Sequence, residues 1–142
     1  MTENELHWAV DQFRYDRNEP ESSAAPHEID LTGRRRILIW GPYVELPKGR
    51  WRARTKLSFD RRATNYNFAV EFGAASAFER MNFRPDKEGL YEVEVEFDFT
   101  GELRAELRII VDQGVIGGVI GFYGADVSLV SETSSEATSV NP

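Results

Sequence analysis

Two histidines, His7 and His27, and several runs of regularly spaced charge are the residues of this chain that could do chemistry. A histidine acts as a general base only when it is held beside a nucleophile and oriented by a third group. Both histidines fall in an N-terminal region outside the patterned middle of the chain, and neither stands at metal-ligand spacing from another donor. Glu92, Glu94, Glu96 and Asp98 offer carboxylates of the kind glycosidases pair across a bond, but their i, i+2 spacing is that of a solvated strand face. Asp126 could lend an oxygen to a structural calcium, although no cluster of acids surrounds it in sequence. The glycine-rich stretch 114–124 lacks Gly-Lys-Ser/Thr, so it is no phosphate loop. It reads as a hairpin between the last two strands, or as a rim exposing Val115, Ile116, Phe122 and Tyr123. Cysteine is absent, which excludes disulfides, thiolate zinc sites and a cysteine nucleophile. The expectation is a protein that is not an enzyme and carries no cofactor or metal.

The elements that would position these residues are strands. Trp51, Ala53, Thr55, Leu57 and Phe59 alternate with Arg50, Arg52, Arg54, Lys56 and Ser58, giving one apolar and one largely basic face. Tyr66, Phe68, Val70 and Phe72 alternate with polar or small residues. Tyr91, Val93, Val95, Phe97 and Phe99 alternate with the acidic row. Leu103, Ala105, Leu107, Ile109 and Val111 alternate with Glu102, Arg104, Glu106 and Arg108, and Ala125, Val127 and Leu129 mark a last strand. Turn residues such as Pro47-Lys48-Gly49 and Asp86-Lys87-Glu88-Gly89 separate the runs. Short half-buried strands at this spacing predict an all-β fold, a two-sheet antiparallel β-sandwich of jelly-roll type.

A row of like charge repels itself unless a neighbouring strand answers it. The basic row 50–56 and the acidic row 92–98 are therefore predicted to lie side by side in one sheet. The mixed row Glu102/Arg104/Glu106/Arg108 is expected to continue or edge that sheet. The segment 37–46 is apolar at both parities, so it needs cover on both faces. Its Gly41-Pro42 pair implies a bulge or an edge position.

The 142 residues divide by composition into an N-terminal arm (1–26), the sandwich domain (27–130) and a disordered C-terminal tail (131–142). The net charge of −7 resides in the termini. The middle carries acids and bases in near balance, so no basic field exists to attract nucleic acid. Arg34-Arg35-Arg36 reads as a solvated lead-in to a strand. No apolar run is long enough to span a membrane, and MTENELHWAV lacks the pattern of a secretory signal. The expectation is a cytoplasmic protein as synthesised, or one that leaves as part of an exported or released assembly.

The block Trp40-Gly41-Pro42-Tyr43-Val44-Glu45-Leu46-Pro47-Lys48-Gly49-Arg50-Trp51-Arg52-Ala53 resembles the GPY, L-P-x-G, aromatic-R-A strand–turn–strand of jelly-roll modules related to carbohydrate-binding modules. Such modules accompany bacterial surface-polysaccharide and glycosyltransferase proteins. Residues 124–129 are similar to their closing strand. The resemblance implies a non-catalytic, carbohydrate-binding-like module, with a glycan as its partner. Because the readable outer faces are charged, the saccharide is expected at rim loops, with Trp40, Tyr43 and Tyr123 as stacking platforms and Asn67 as a polar contact. The alternative is a structural adaptor, such as a spike or decoration protein of a phage-like particle. It would dock a protein partner or a second copy of the chain through Leu6, Trp8, Val10 and Phe13 of the arm.

Overall fold

The computed structural model describes residues 4–16, 28–101 and 103–131. The second half of the arm with His27, and the C-terminal tail beyond the backbone of Ser131, lie outside the described residues. The strands are β1 (Glu5–Trp8), β2 (Arg14–Tyr15), β3 (Glu28–Asp30), β4 (Arg36–Leu46), β5 (Gly49–Phe59), β6 (Phe68–Ala74), β7 (Ala77–Phe83), β8 (Gly89–Phe99), β9 (Leu103–Val111) and β10 (Val119–Ser131). Two 3₁₀ turns, Val10–Gln12 and Arg61–Ala63, complete the described elements. Asp60 caps the second by accepting a hydrogen bond from the Ala63 amide at 3.0 Å.

The strands form two antiparallel sheets, and the chain is an all-β sandwich. Sheet I has the order β1-β10-β5-β8, with β3 pairing the β1 side of β10 nearer its start. Sheet II has the order β2-β4-β9-β6-β7. The inward parities read from the sequence meet in one core that includes Trp51, Leu57, Phe68, Phe72, Phe99, Leu107 and Phe122. Burying a side chain of this size stabilises by about 1.5–3 kcal/mol.

The predicted charge-matched pair is present. β5 and β8 run antiparallel with Arg50 opposite Asp98, Arg52 opposite Glu96, Arg54 opposite Glu94 and Lys56 opposite Glu92. The mixed row does not join them. β9 lies at the centre of sheet II, between β4 and β6, with Arg108 opposite Glu71. It finds its counter-charges there, so it has no need of the ladder in sheet I. The stretch 114–124 is not a hairpin either, because β9 and β10 belong to different sheets. Residues 112–118 cross from one sheet to the other, and an isolated bridge from Val115 to Gly33 ties the crossing down.

β4 solves its double apolar parity by register shifts, one between Ile37 and Ile39 and one between Pro42 and Val44. The first turns both Leu38 and Ile39 inward, leaving Ile37 exposed. The second sits at the cis Gly41-Pro42 bond and at Tyr43, whose φ is +67°. β2 pairs with β4 only at Ile39 and Trp40, so Pro42 lies on a free edge, where it breaks no ladder.

The arm is divided between the two sheets. Its β1 belongs to sheet I and its β2 to sheet II, and the turn Val10–Gln12 carries the chain between them. Trp8 and Phe13 plug that side of the core, Phe13 edge-on to Phe122 at 4.9 Å and Trp8 edge-on to Phe72 at 6.3 Å. Trp8 is 2% exposed and Phe13 6%, so neither is presented to a partner. Leu6 and Val10 are partly buried against the same core.

Candidate functional site

The outer face of sheet I carries the charge ladder. Arg50 donates to Glu96 at 2.7 Å and to Asp98 at 2.9 Å, and Arg52 donates to Glu96 at 3.0 Å. Arg54 donates to Glu94 at 2.8 Å and lies 3.3 Å from Glu92. Burial alone would raise the Glu96 carboxyl, but hydrogen bonds from Arg50 and Arg52 outweigh it and hold the group below its ordinary value. Hydrogen bonds to Glu96 and Asp98 likewise raise Arg50.

Beyond Arg54 the ladder opens into a cleft of 610 Å³. Its wall is made by a bulge in β10, where pairing with β5 shifts between Phe122 and Ala125. Gly124 permits the bulge. Its φ is +84°, and a Cβ there would lie 2.6 Å from the Trp8 carbonyl oxygen. The bulge turns Tyr123 outward to 49% exposure while Phe122 stays in the core. A Cβ on Gly121 would come within 3.4 Å of the Tyr123 hydroxyl and collide with Ser58. The Tyr123 ring thus reaches back over Gly121 and Ser58, with its hydroxyl 3.4 Å from Ser58 Oγ. Leu90, 61% exposed, adds an apolar edge at the start of β8.

Polar groups surround this ring. His7 of β1 donates from Nδ1 to Asp126 Oδ1 at 2.8 Å, since an ionised carboxylate can only accept. Glu92, Arg54, Lys56 and Ser58 line the remainder. An apolar ring bordered by hydroxyl, carboxylate and imidazole groups matches a ligand with apolar C–H faces and a hydroxylated rim. General-acid chemistry wants a carboxyl in apolar surroundings. Glu92 and Asp126 are instead exposed and beside cationic or imidazole partners. Among the described residues no three histidine, aspartate or glutamate side chains group as a metal site. None of the helical turns is long and apolar enough to cross a membrane.

The four sequence-predicted binding residues do not converge. Tyr123 lines the cleft on sheet I. Trp40 and Tyr43 belong to β4 of sheet II, where Trp40 is half-buried opposite Arg108 and Tyr43 is exposed. Asn67 precedes β6, its backbone N–H donating to Gln113 Oε1 at 2.7 Å. It borders a separate 460 Å³ groove with Arg80, Asn82 and Arg84.

Sheet II's outer face is built differently. Arg80 bonds Glu71 at 2.7 Å and Asp112 at 3.0 Å. Arg108 bonds Glu71 at 3.2 Å and Glu106 at 3.1 Å. The Phe78 ring covers the Arg108 guanidinium at 3.9 Å. Burial raises the Tyr43 phenol above its ordinary value, and a hydrogen bond to Glu106 raises it further. Sequence reasoning missed His7, Ser58 and Leu90 as companions of Tyr123. The signal available was the spacing Gly121-x-Tyr123-Gly124, which marks a ring turned out of a strand.

No family model matches the sequence, and no curated protein matches it. Solved structures do. The C-terminal family 6 carbohydrate-binding module of LamC, a marine laminarinase from Zobellia galactanivorans, superposes with a TM-score of 0.56 at 10% identity, covering 88% of this chain and 99% of that one. The Gap123 glycosylation-associated protein complex of Streptococcus agalactiae gives a TM-score of 0.54 at 8% identity over 89% of this chain and 25% of that one. The chain has the β-sandwich fold of a carbohydrate-binding module.

Proposed function

We propose that this protein is a non-catalytic module that holds a saccharide in the sheet I cleft, with Tyr123 as the stacking platform. The observation that carries the reading is the Tyr123 ring, half-exposed, seated over Gly121 and framed by His7, Asp126, Glu92 and Ser58. A sugar ring presents C–H groups on its faces and hydroxyls on its edge. This cleft offers an aromatic surface beside carboxylate and hydroxyl partners for that edge. The fold shared with a carbohydrate-binding module supports the reading. The cleft is lined by residues of β1, β5, β8 and β10, so the proposed site lies on the outer face of sheet I and departs from the rim-loop expectation.

Titration of a panel of oligosaccharides into the full chain, followed by calorimetry, tests the proposal. Binding that Tyr123→Ala weakens by about tenfold or more, and that Trp40→Ala leaves intact, supports it. Binding that is lost with Trp40→Ala and untouched by Tyr123→Ala moves the site to sheet II and overturns it.

A further inference from the structure

Along β5 the cations are not treated alike. Arg50, Arg52 and Arg54 each donate to carboxylates of β8. Lys56 stands in register with Glu92, but the Glu92 carboxylate is turned toward Arg54, 3.3 Å from its Nε. Among the described residues Lys56 makes no ion pair and no side-chain hydrogen bond. It lines the same cleft as Tyr123. The other charges there are engaged: Asp126 accepts from His7, and Arg54 is held between Glu92 and Glu94. The cleft therefore offers three uncommitted ammonium N–H donors beside an aromatic platform, while its anionic groups already have partners.

We infer that the ligand of the cleft is an acidic saccharide, a sugar carrying a carboxylate or sulfate group that Lys56 engages while Tyr123 stacks on the ring. This rests on the saccharide-binding reading and specifies its ligand class. The anion supplies the partner that Glu92 withholds, and a charge-assisted hydrogen bond to it is stronger than one to a neutral hydroxyl. Leu90, exposed at the cleft edge, would cover the far side of the sugar.

The test compares three probes on the full chain by calorimetry: neutral oligosaccharides, oligouronates of matched length, and sulfated oligosaccharides. The expected result is tighter binding of one acidic class than of the neutral class. Lys56→Gln should reduce that acidic affinity about tenfold and remove the preference for the acidic over the neutral class, with Lys56→Arg restoring most of the loss. The exposed position of Lys56 means both variants stay folded, which circular dichroism checks. If neutral sugars bind and acidic ones bind no better, or if Lys56→Gln leaves acidic affinity intact, the acidic-ligand inference falls and the saccharide reading stands. If no saccharide of either charge binds, both fall together.

Discussion

On sheet I the cations of β5 meet the acids of β8 across a single strand pair, and one end of that ladder is left open at Lys56. On sheet II the chain Asp112–Arg80–Glu71–Arg108–Glu106 draws its members from three strands and the loop after β9. Phe78 lies over Arg108, and Tyr43 bonds the terminal glutamate. The first face is a regular array with a free end beside an uncovered ring. The second is a closed network whose aromatic neighbours cover ion pairs. An exposed aromatic residue is therefore a poor guide to binding until one asks what its ring already covers. Tyr43 and Tyr123 have similar exposure, yet Tyr43 is tied to Glu106 of the ion-pair network whereas Tyr123 borders the sheet I cleft.

The comparison predicts unequal costs of mutation. Glu106 is 7% exposed and bonds Arg108 through both oxygens. Its replacement by alanine leaves a half-buried guanidinium short of a partner, and Glu106→Ala should cost about 3 kcal/mol in urea unfolding. A cost below about 1 kcal/mol would mean that the sheet II network is no more closed than the ladder. Next comes Gly121→Ala, which places a methyl group under the Tyr123 ring. It should weaken saccharide binding by about tenfold in a calorimetric titration. Unchanged affinity would show that the ring needs no seat.

How much of this was legible in the sequence follows from what each feature depends on. The β5–β8 pairing was readable because two like-charged rows of equal length leave a sheet few ways to neutralise them. The place of β9 was not, because a row of mixed sign is satisfied by many neighbours. Glu71 of β6, which answers Arg108, is itself held by Arg80 of β7, and β7 shows only weak alternation. Tyr123 was singled out, but the cleft could not be drawn around it. It joins His7, Ser58, Leu90 and Asp126, which only the order β1-β10-β5-β8 brings together. The arm resists reading by periodicity because it is two short strands joined by a turn, each in a different sheet.

Two smaller effects sharpen the contrast. The Glu96 carboxyl lies below its ordinary value, so its contribution is present above the unfolded value of about 4.3. That contribution is lost as pH falls through the folded value. The urea midpoint should hold between about pH 7 and 5 and drop below about pH 4, and Glu96→Gln should flatten the drop. A midpoint that falls in parallel for both proteins would place the acid sensitivity elsewhere. Smallest of all, Arg52→Gln should cost less than about 1 kcal/mol, and added salt should shrink that cost further. A larger, salt-independent loss would make the ladder a closed network like the one on sheet II.

The strand order also sets a timetable for synthesis. β10 sits between β1 and β5, and the pairing of His7 with Asp126 spans 119 residues. Sheet I stays in separate pieces until the segment 119–131 has been made, whereas β4, β6, β7 and β9 of sheet II are complete earlier. Such distant pairings make folding slow, and during the wait the β10-facing edge of β5 has no neighbour. β8 precedes β10 in the chain, so its carboxylates can already answer Arg50, Arg52 and Arg54, and Lys56 is the charge this open edge still presents. Two unfinished chains meeting along β5 would have to bring such lysines near one another, and an edge lysine of this kind disfavours strand pairing between copies.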